Sequence, residues 1–93
     1  MKIFKTADQK LEELGFTKVE EDEYKVSYSR MLDKCGIQNL GLMYDYYGHT
    51  IYSYITVDNK DIYTGLNIYE IKICLKKMKE LGWKFKKNKV HIR

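Results

Sequence analysis

The chain has 93 residues, of which 44% are hydrophobic and 32% are charged, and its formal net charge is +4. This length predicts one domain with one core, and this composition excludes a disordered chain. No apolar run reaches the ~18 residues that a transmembrane helix needs.

The N-terminal residues and the two cysteines predict a cellular location. Residues 1–8 lack the apolar stretch of a signal peptide, so we expect a cytoplasmic protein that is not bound to a membrane. In that compartment Cys35 and Cys74 are expected to be reduced thiols, with Cys74 packed as a small hydrophobic residue.

The first predicted element is a short helix that begins after Thr6. The Thr6 hydroxyl can cap the helix, and Gln9 stands at the position from which its side chain can reach back, which completes a capping box. Gly15 supplies the left-handed residue that ends the helix, and Phe16 is placed to pack against Leu11. A helix of about two turns depends on packing against another element.

The middle of the chain predicts an antiparallel sheet of three or four strands. Apolar and polar residues alternate with period two, and short turns join the runs, as in a meander. Residues 58–61 are predicted to form the last turn, and residues 62–64 a brief further strand. With the aliphatic side chains turned towards the core, four larger residues are expected on the open face of the sheet: Met43, Tyr47, Tyr52 and Tyr54.

The second helix has complete start and stop signals. Asn67 is a favourable cap with Glu70 three residues later, and Gly82 followed by Trp83 ends the helix. The predicted buried stripe is Ile68, Ile71, Cys74, Leu75, Met78 and Leu81. The predicted solvated stripe is Lys72, Lys76 and Lys79.

These elements predict a single α+β domain over residues 1–93. A short N-terminal helix precedes the sheet, and a longer C-terminal helix packs on one face of the sheet. Residues 84–93 form either a hairpin, an edge strand or a frayed basic tail.

The sequence gives little support for enzymatic chemistry. No recognisable nucleophile setting surrounds His49 or His91, and a pair between Cys35 and His49 is the sort of coincidence that a short chain offers. The acidic turn at residues 58–61 lacks the glycine and the final glutamate of a calcium loop. We therefore expect no catalytic residues, no metal and no cofactor.

The basic C-terminal region is the first candidate binding surface. Its candidate contact residues are Lys72, Lys76, Lys79, Lys86 and Lys87. Such a stripe can contact phosphates, it can steer the approach of an acidic or nucleic-acid-handling partner, or it can be an ordinary solvated helix face. Only 2 of the 17 cationic residues are arginines, which disfavours base-specific recognition.

The open-face tyrosines are the second candidate. Tyr52 and Tyr54, with Met43 and Tyr47, can anchor a protein partner, or stack the bases of a single strand. Two further alternatives are cross-strand pairing that only stabilises the sheet and a homodimer through this face.

The two ends of the chain carry a family resemblance. The segment 6–16 reads TADQKLEELGF, and the closing helix carries Glu70, Lys77 and the tetrapeptide Glu80-Leu81-Gly82-Trp83. Both resemble the ends of small accessory proteins encoded by phages and prophages of low-GC Gram-positive bacteria. The resemblance implies an accessory protein of a mobile element, a class that includes inhibitors of bacterial defence systems such as anti-CRISPR proteins. We therefore expect a non-enzymatic protein that inhibits a host protein or defence complex by occupying its surface. The alternative is a small nucleic-acid-binding module that uses the basic helix face and the exposed tyrosines.

Overall fold

The computed structural model describes residues 5–32, 36–45 and 48–83. The chain is an α+β domain in which a helix, a sheet and a second helix follow one another, as predicted, with five strands rather than three or four. The elements in chain order are α1 (Ala7–Glu13), β1 (Thr17–Glu21), β2 (Lys25–Met31), β3 (Ile37–Asp45), β4 (Gly48–Val57), β5 (Lys60–Tyr63) and α2 (Ile68–Glu80).

The five strands form an antiparallel meander. Their spatial order is β1-β2-β3-β4-β5, so each strand pairs with its neighbour in sequence, and β1 and β5 are the two edges. The register is continuous from β2 to β5, whereas the β1–β2 pairing shifts between Lys18 and Glu20. Such a shift is typical of a β-bulge, which twists an edge strand out of line.

The β4–β5 connection is a two-residue hairpin turn. Asp58 and Asn59 have φ angles of 51° and 63°, and Val57 pairs with Lys60 across them. Two consecutive residues with positive φ define a type I′ turn, whose twist matches that of the flanking strands. The predicted turn at residues 58–61 is therefore confirmed for Asp58 and Asn59, whereas Lys60 and Asp61 already belong to β5.

Both helices begin as the sequence predicts. The Thr6 and Asn67 side chains each accept a hydrogen bond from the backbone N–H three residues later, and the Gln9 and Glu70 side chains reach back to complete the two capping boxes. Gly15 stands just beyond the end of the first helix, with φ 94°.

The core lies between the two helices and one face of the sheet, which we call the helix-covered face. Its buried residues are Ala7, Leu11, Phe16, Val26, Tyr28, Leu40, Leu42, Ile73, Cys74, Met78 and Trp83. The other face, which we call the open face, carries the alternate residues of the same strands, and no other element of the described ranges packs on it.

The buried side of α2 differs from the prediction. Ile68 is 71% exposed and Ile71 is also exposed, whereas Ile73 and Lys77 are buried together with Cys74 and Met78. The helix is therefore rotated relative to the stripe that its aliphatic residues alone define, and it turns one lysine inwards.

A polar connection holds the N-terminal end of α2 to the sheet. Arg30 of β2 donates to Gln38 Oε1 over 2.7 Å and to the carbonyl of Leu14 over 2.9 Å, and it forms an ion pair with Glu70 at 3.4 Å. The guanidinium group also lies 4.3 Å from the centre of the Phe16 ring. One side chain thus connects β2, β3, the end of α1 and the start of α2.

Among the described residues, no helix is long and apolar enough to span a membrane.

Candidate functional site

The strand register brings three tyrosines together on the open face. Tyr52 and Tyr54 lie two residues apart on β4, so their side chains point to the same side of the sheet. Tyr63 of β5 pairs directly with Tyr54. We call Tyr52, Tyr54 and Tyr63 the tyrosine ladder.

The rings of the ladder contact one another in sequence. The Tyr52 and Tyr54 ring centres are 6.2 Å apart and the rings are nearly parallel, at 13°. The Tyr54 and Tyr63 centres are 6.3 Å apart with an edge-on geometry. These are favourable arrangements for aromatic pairs, so each ring limits the freedom of the next.

Gly41 makes room for the first ring of the ladder. It pairs with Tyr52 across β3 and β4, and a Cβ atom placed on Gly41 would overlap the Tyr52 ring. The ring therefore lies flat over the backbone of β3 instead of standing away from the sheet, which explains why Tyr52 is half-buried on a face that no other described element covers.

Small polar residues surround the ladder. A shallow groove of about 220 Å³ runs between the ladder and β1, and its lining includes the polar residues Ser27 and Asn39 together with the apolar Val19. Glu20 and Lys25 lie at its rim and form an ion pair of 3.0 Å, so their charges cancel. The face is therefore rich in tyrosine, serine, asparagine and glycine, with little net charge.

Two further residues, Met43 and Tyr47, were predicted to lie on the open face, and the structure describes only Met43. Met43 is half-buried on the same face, where it pairs with Lys25 and Thr50. Tyr47 lies outside the described residues.

Tyr63 was not predicted as a site residue from the sequence. The signal that could have identified it is the two-residue turn, because a type I′ turn fixes the register that places Tyr63 opposite Tyr54.

The predicted basic surface lies on the other layer of the molecule. Lys72 and Lys79 are exposed on the side of α2 that points away from the sheet, and Lys76 forms an ion pair of 3.7 Å with Glu80. Lys86 and Lys87 lie outside the described residues. The α2 lysines and the tyrosine ladder thus point in opposite directions, so the structure does not bring the two candidate surfaces together.

Lys77, which lies beside the predicted basic stripe in the sequence of α2, is the centre of a charge cluster at the edge of the core. Its side chain is 7% exposed, and its ammonium group lies 2.7 Å from Glu21 and 3.2 Å from Asp8. Asp8 also accepts hydrogen bonds from the Tyr28 hydroxyl and from Lys18. Because its charge is matched within the protein, Lys77 is not available for phosphate contacts.

The pKa values within this cluster favour the charged forms of its acids. Partial burial on its own raises the pKa of the Asp8 carboxyl, but hydrogen bonds from Tyr28, Lys18 and Lys77 outweigh it and lower this pKa below its ordinary value. The hydrogen bond from Lys77 likewise lowers the pKa of Glu21. Two carboxylates that stay ionised at neutral pH act here as partners of a buried cation and not as proton donors.

Among the described residues, the Cys74 and His49 side chains are packed within the fold. Burial raises the pKa of the Cys74 thiol to about 12, which suppresses the nucleophilic thiolate. The His49 ring packs against Tyr44 and Trp83, with ring centres 4.9 and 6.0 Å away. Cys35, its suggested partner, lies outside the described residues. In the described ranges no three His, Cys, Asp or Glu side chains are grouped so as to hold a metal ion.

Comparisons with known proteins found no relatives. No protein-family model, no curated protein and no solved structure matches this chain.

Proposed function

We propose that this chain is a non-enzymatic binding protein that occupies a surface of another protein with its open face. The observation that carries this proposal is the tyrosine ladder, which lies beside serine, asparagine and glycine on a sheet face of low net charge. Tyrosine provides a large amphipathic contact area with only two side-chain torsions, while serine, asparagine and glycine provide adaptable hydrogen bonds, as in antibody paratopes.

The packing of the ladder supports binding without a large cost in conformational entropy. Tyr52 is held between Gly41 and Tyr54, and Tyr54 contacts Tyr63 in turn. Side chains that are already ordered lose little freedom when a partner covers them. A tyrosine pre-arranged in this way is typical of an interface residue that contributes much of the binding energy.

The charge of the open face supports a protein partner over a nucleic acid. Lys25 is the cation at the groove, and it forms an ion pair with Glu20. Binding to a nucleic-acid backbone depends on cations that neutralise phosphates. Tyrosines could stack bases, but this face offers little to hold the strand that carries them.

The resemblance of both termini to phage and prophage accessory proteins supports a host protein as the partner. In this proposal the chain works in the cytoplasm of a bacterial host. There it inhibits a host protein or a defence complex by covering a surface that the target needs, as expected for a class that includes anti-CRISPR proteins.

The experiment compares two double variants as baits in a lysate of a low-GC Gram-positive host. We expect wild type and Lys72→Ala/Lys79→Ala to retain the same protein, and Tyr52→Ala/Tyr54→Ala to lose it. With the purified target, calorimetric titration should then give an affinity at least ~30-fold lower for the tyrosine variant, the equivalent of about 2 kcal/mol. Retention of the target by the tyrosine variant, or no specific capture by wild type, would contradict the proposal.

Nucleic-acid binding by the outer side of α2 is the second candidate. Lys72 and Lys79 are exposed, and neither forms an ion pair within the described part of the chain. This proposal predicts retention of mixed single- and double-stranded oligonucleotides at low salt, and a weaker salt dependence for Lys72→Ala/Lys79→Ala. No retention at low salt would exclude it.

A further inference from the structure

The two edges of the sheet differ in how well they are protected against pairing with another strand. Edge β1 carries Lys18, Glu20 and Glu21, and its register is interrupted by the shift between Lys18 and Glu20. Charged side chains and bulges are the usual devices that prevent edge-to-edge association. Edge β5 pairs with β4 without interruption and ends in Ile62 and Tyr63, which are 56% and 82% exposed.

The hydrogen bonding of the hairpin identifies the backbone groups that β5 presents outwards. The Thr64 N–H donates to the Ser53 carbonyl over 3.1 Å, which makes Ser53 and Thr64 a hydrogen-bonded pair. Pairs alternate along an antiparallel ladder, so Ile62 also bonds to β4, whereas the N–H and C=O groups of Asp61 and Tyr63 point away from it. No other strand of the described ranges pairs along this outer side.

We propose that two copies of this chain associate through β5, in antiparallel orientation about a two-fold axis, to give a continuous sheet of ten strands. Since each copy contributes the same strand, the outward groups of one copy meet those of the other. Asp61 of each copy then pairs with Tyr63 of the second copy, with two backbone hydrogen bonds per pair.

This register is centred on Ile62. The Ile62 side chain faces its symmetry mate in a non-hydrogen-bonded pair, in which side chains approach most closely, and Ile55 extends the apolar strip in each copy. One of the two neighbouring registers, centred on Asp61, would place two carboxylates directly opposite each other, which is destabilising. Lys60 and Asp61 carry opposite charges, so the strand itself does not repel a second copy.

The shared strand is short, because β5 has 4 residues. We therefore expect a dimer that forms progressively with concentration, as is typical of small interfaces. Dimerisation would place the two tyrosine ladders side by side on one extended face, although this inference does not depend on the proposed function of that face.

The first test measures the mass of the full chain by sedimentation equilibrium over a wide concentration range. We expect dimer formation by wild type and by Val19→Lys, which adds a charge at an exposed position of the opposite edge. Ile62→Lys should remain monomeric, because it sets two like charges opposite each other. A wild type that is monomeric throughout, or an Ile62→Lys variant that associates equally well, would overturn the inference.

A second pair of variants isolates the backbone contribution. Tyr63→Ala and Tyr63→Pro both remove the ring, but only the proline removes the outward N–H, and edge strands tolerate proline where that group faces solvent. We expect the alanine variant to retain association and the proline variant to lose it. Equal association of the two variants would overturn pairing through this edge, and this comparison holds even if Ile62→Lys fails to fold.

A cross-linking test reads the register directly. In a Cys35→Ser background, oxidised glutathione should convert Ile62→Cys into a disulfide-linked dimer, because the two positions face each other at the two-fold axis, while the glutathione is reduced. Asp61→Cys should cross-link far less, because Tyr63 of the second copy lies opposite it. The reverse order on a non-reducing gel would overturn the proposed register.

Discussion

The two faces of the sheet come from alternate residues of the same strands, yet they are built in different ways. On β3, Leu40 and Leu42 are completely buried on the helix-covered face, while Asn39 and Gly41 face the other way beside the tyrosine ladder. The helix-covered face provides the apolar burial that stabilises the fold. The open face contributes less to stability, and its tyrosines remain accessible to a partner.

The two faces also differ in how their charged side chains are arranged. The cluster of Asp8, Glu21 and Lys77 lies at the margin of the core, where it attaches both helices to β1. On the open face the charges at the groove cancel in the pair of Glu20 and Lys25. Variants that alter one face and not the other therefore test whether the residues that stabilise the fold differ from those that bind a partner.

The largest expected effect is on the core. Leu40→Ala removes a completely buried side chain and should lower the free energy of unfolding by about 2–5 kcal/mol. Asn39→Ala, the neighbouring residue on the open face, should lower it by less than ~1 kcal/mol. Urea denaturation of both variants measures the difference, and equal losses would show that the two faces share the stabilising burial.

The next effect is on the charge cluster. Lys77→Met should lower the free energy of unfolding at neutral pH by about 1–2 kcal/mol, because Asp8 and Glu21 lose a buried partner. The matched control Lys79→Met, on the exposed side of α2, should have little effect.

The same variant tests the pH dependence. Asp8 and Glu21 have folded-state pKa values below their ordinary values of 3.8 and 4.5. Their contribution is therefore complete above those ordinary values and is lost as the pH falls through the lower folded-state values. Unfolding measured from about pH 6 to about pH 2 should show this loss in wild type and a shallower loss in Lys77→Met. A wild type with no loss in this range would contradict the role assigned to the cluster.

The smallest expected effect on stability is on the open face. Gly41→Ala introduces a Cβ where the Tyr52 ring lies, and because the end of that ring can move aside, the free energy of unfolding should change by less than ~1 kcal/mol. The displaced ring should nevertheless change the near-ultraviolet circular dichroism. Gly65→Ala is the matched control, since its added Cβ meets no neighbouring atom. An unchanged spectrum in Gly41→Ala would show that the ring does not lie over this glycine.

Much of the candidate site follows from local sequence patterns. Period-two alternation assigns Tyr52 and Tyr54 to the face opposite Ile51, because successive side chains of a strand point to opposite sides. Tyr63 could not be assigned in the same way without the register. That register depends on whether the turn contains two residues or four, and Asp58 and Asn59 adopt the positive φ angles of the shorter turn.

The sequence by itself determined the start and end signals of both helices and the two faces of the strands, because capping and alternation depend on residues close together in the chain. Only the tertiary structure decided how α2 is rotated. The helical pattern of apolar residues predicts that Ile68 and Ile71 are buried, but both are exposed. Lys77 is buried instead, because it forms ion pairs with Asp8 and Glu21, which lie far away in the sequence. The same packing turns the remaining α2 lysines away from the tyrosine ladder, because a helix that buries one side against a sheet must expose its other side.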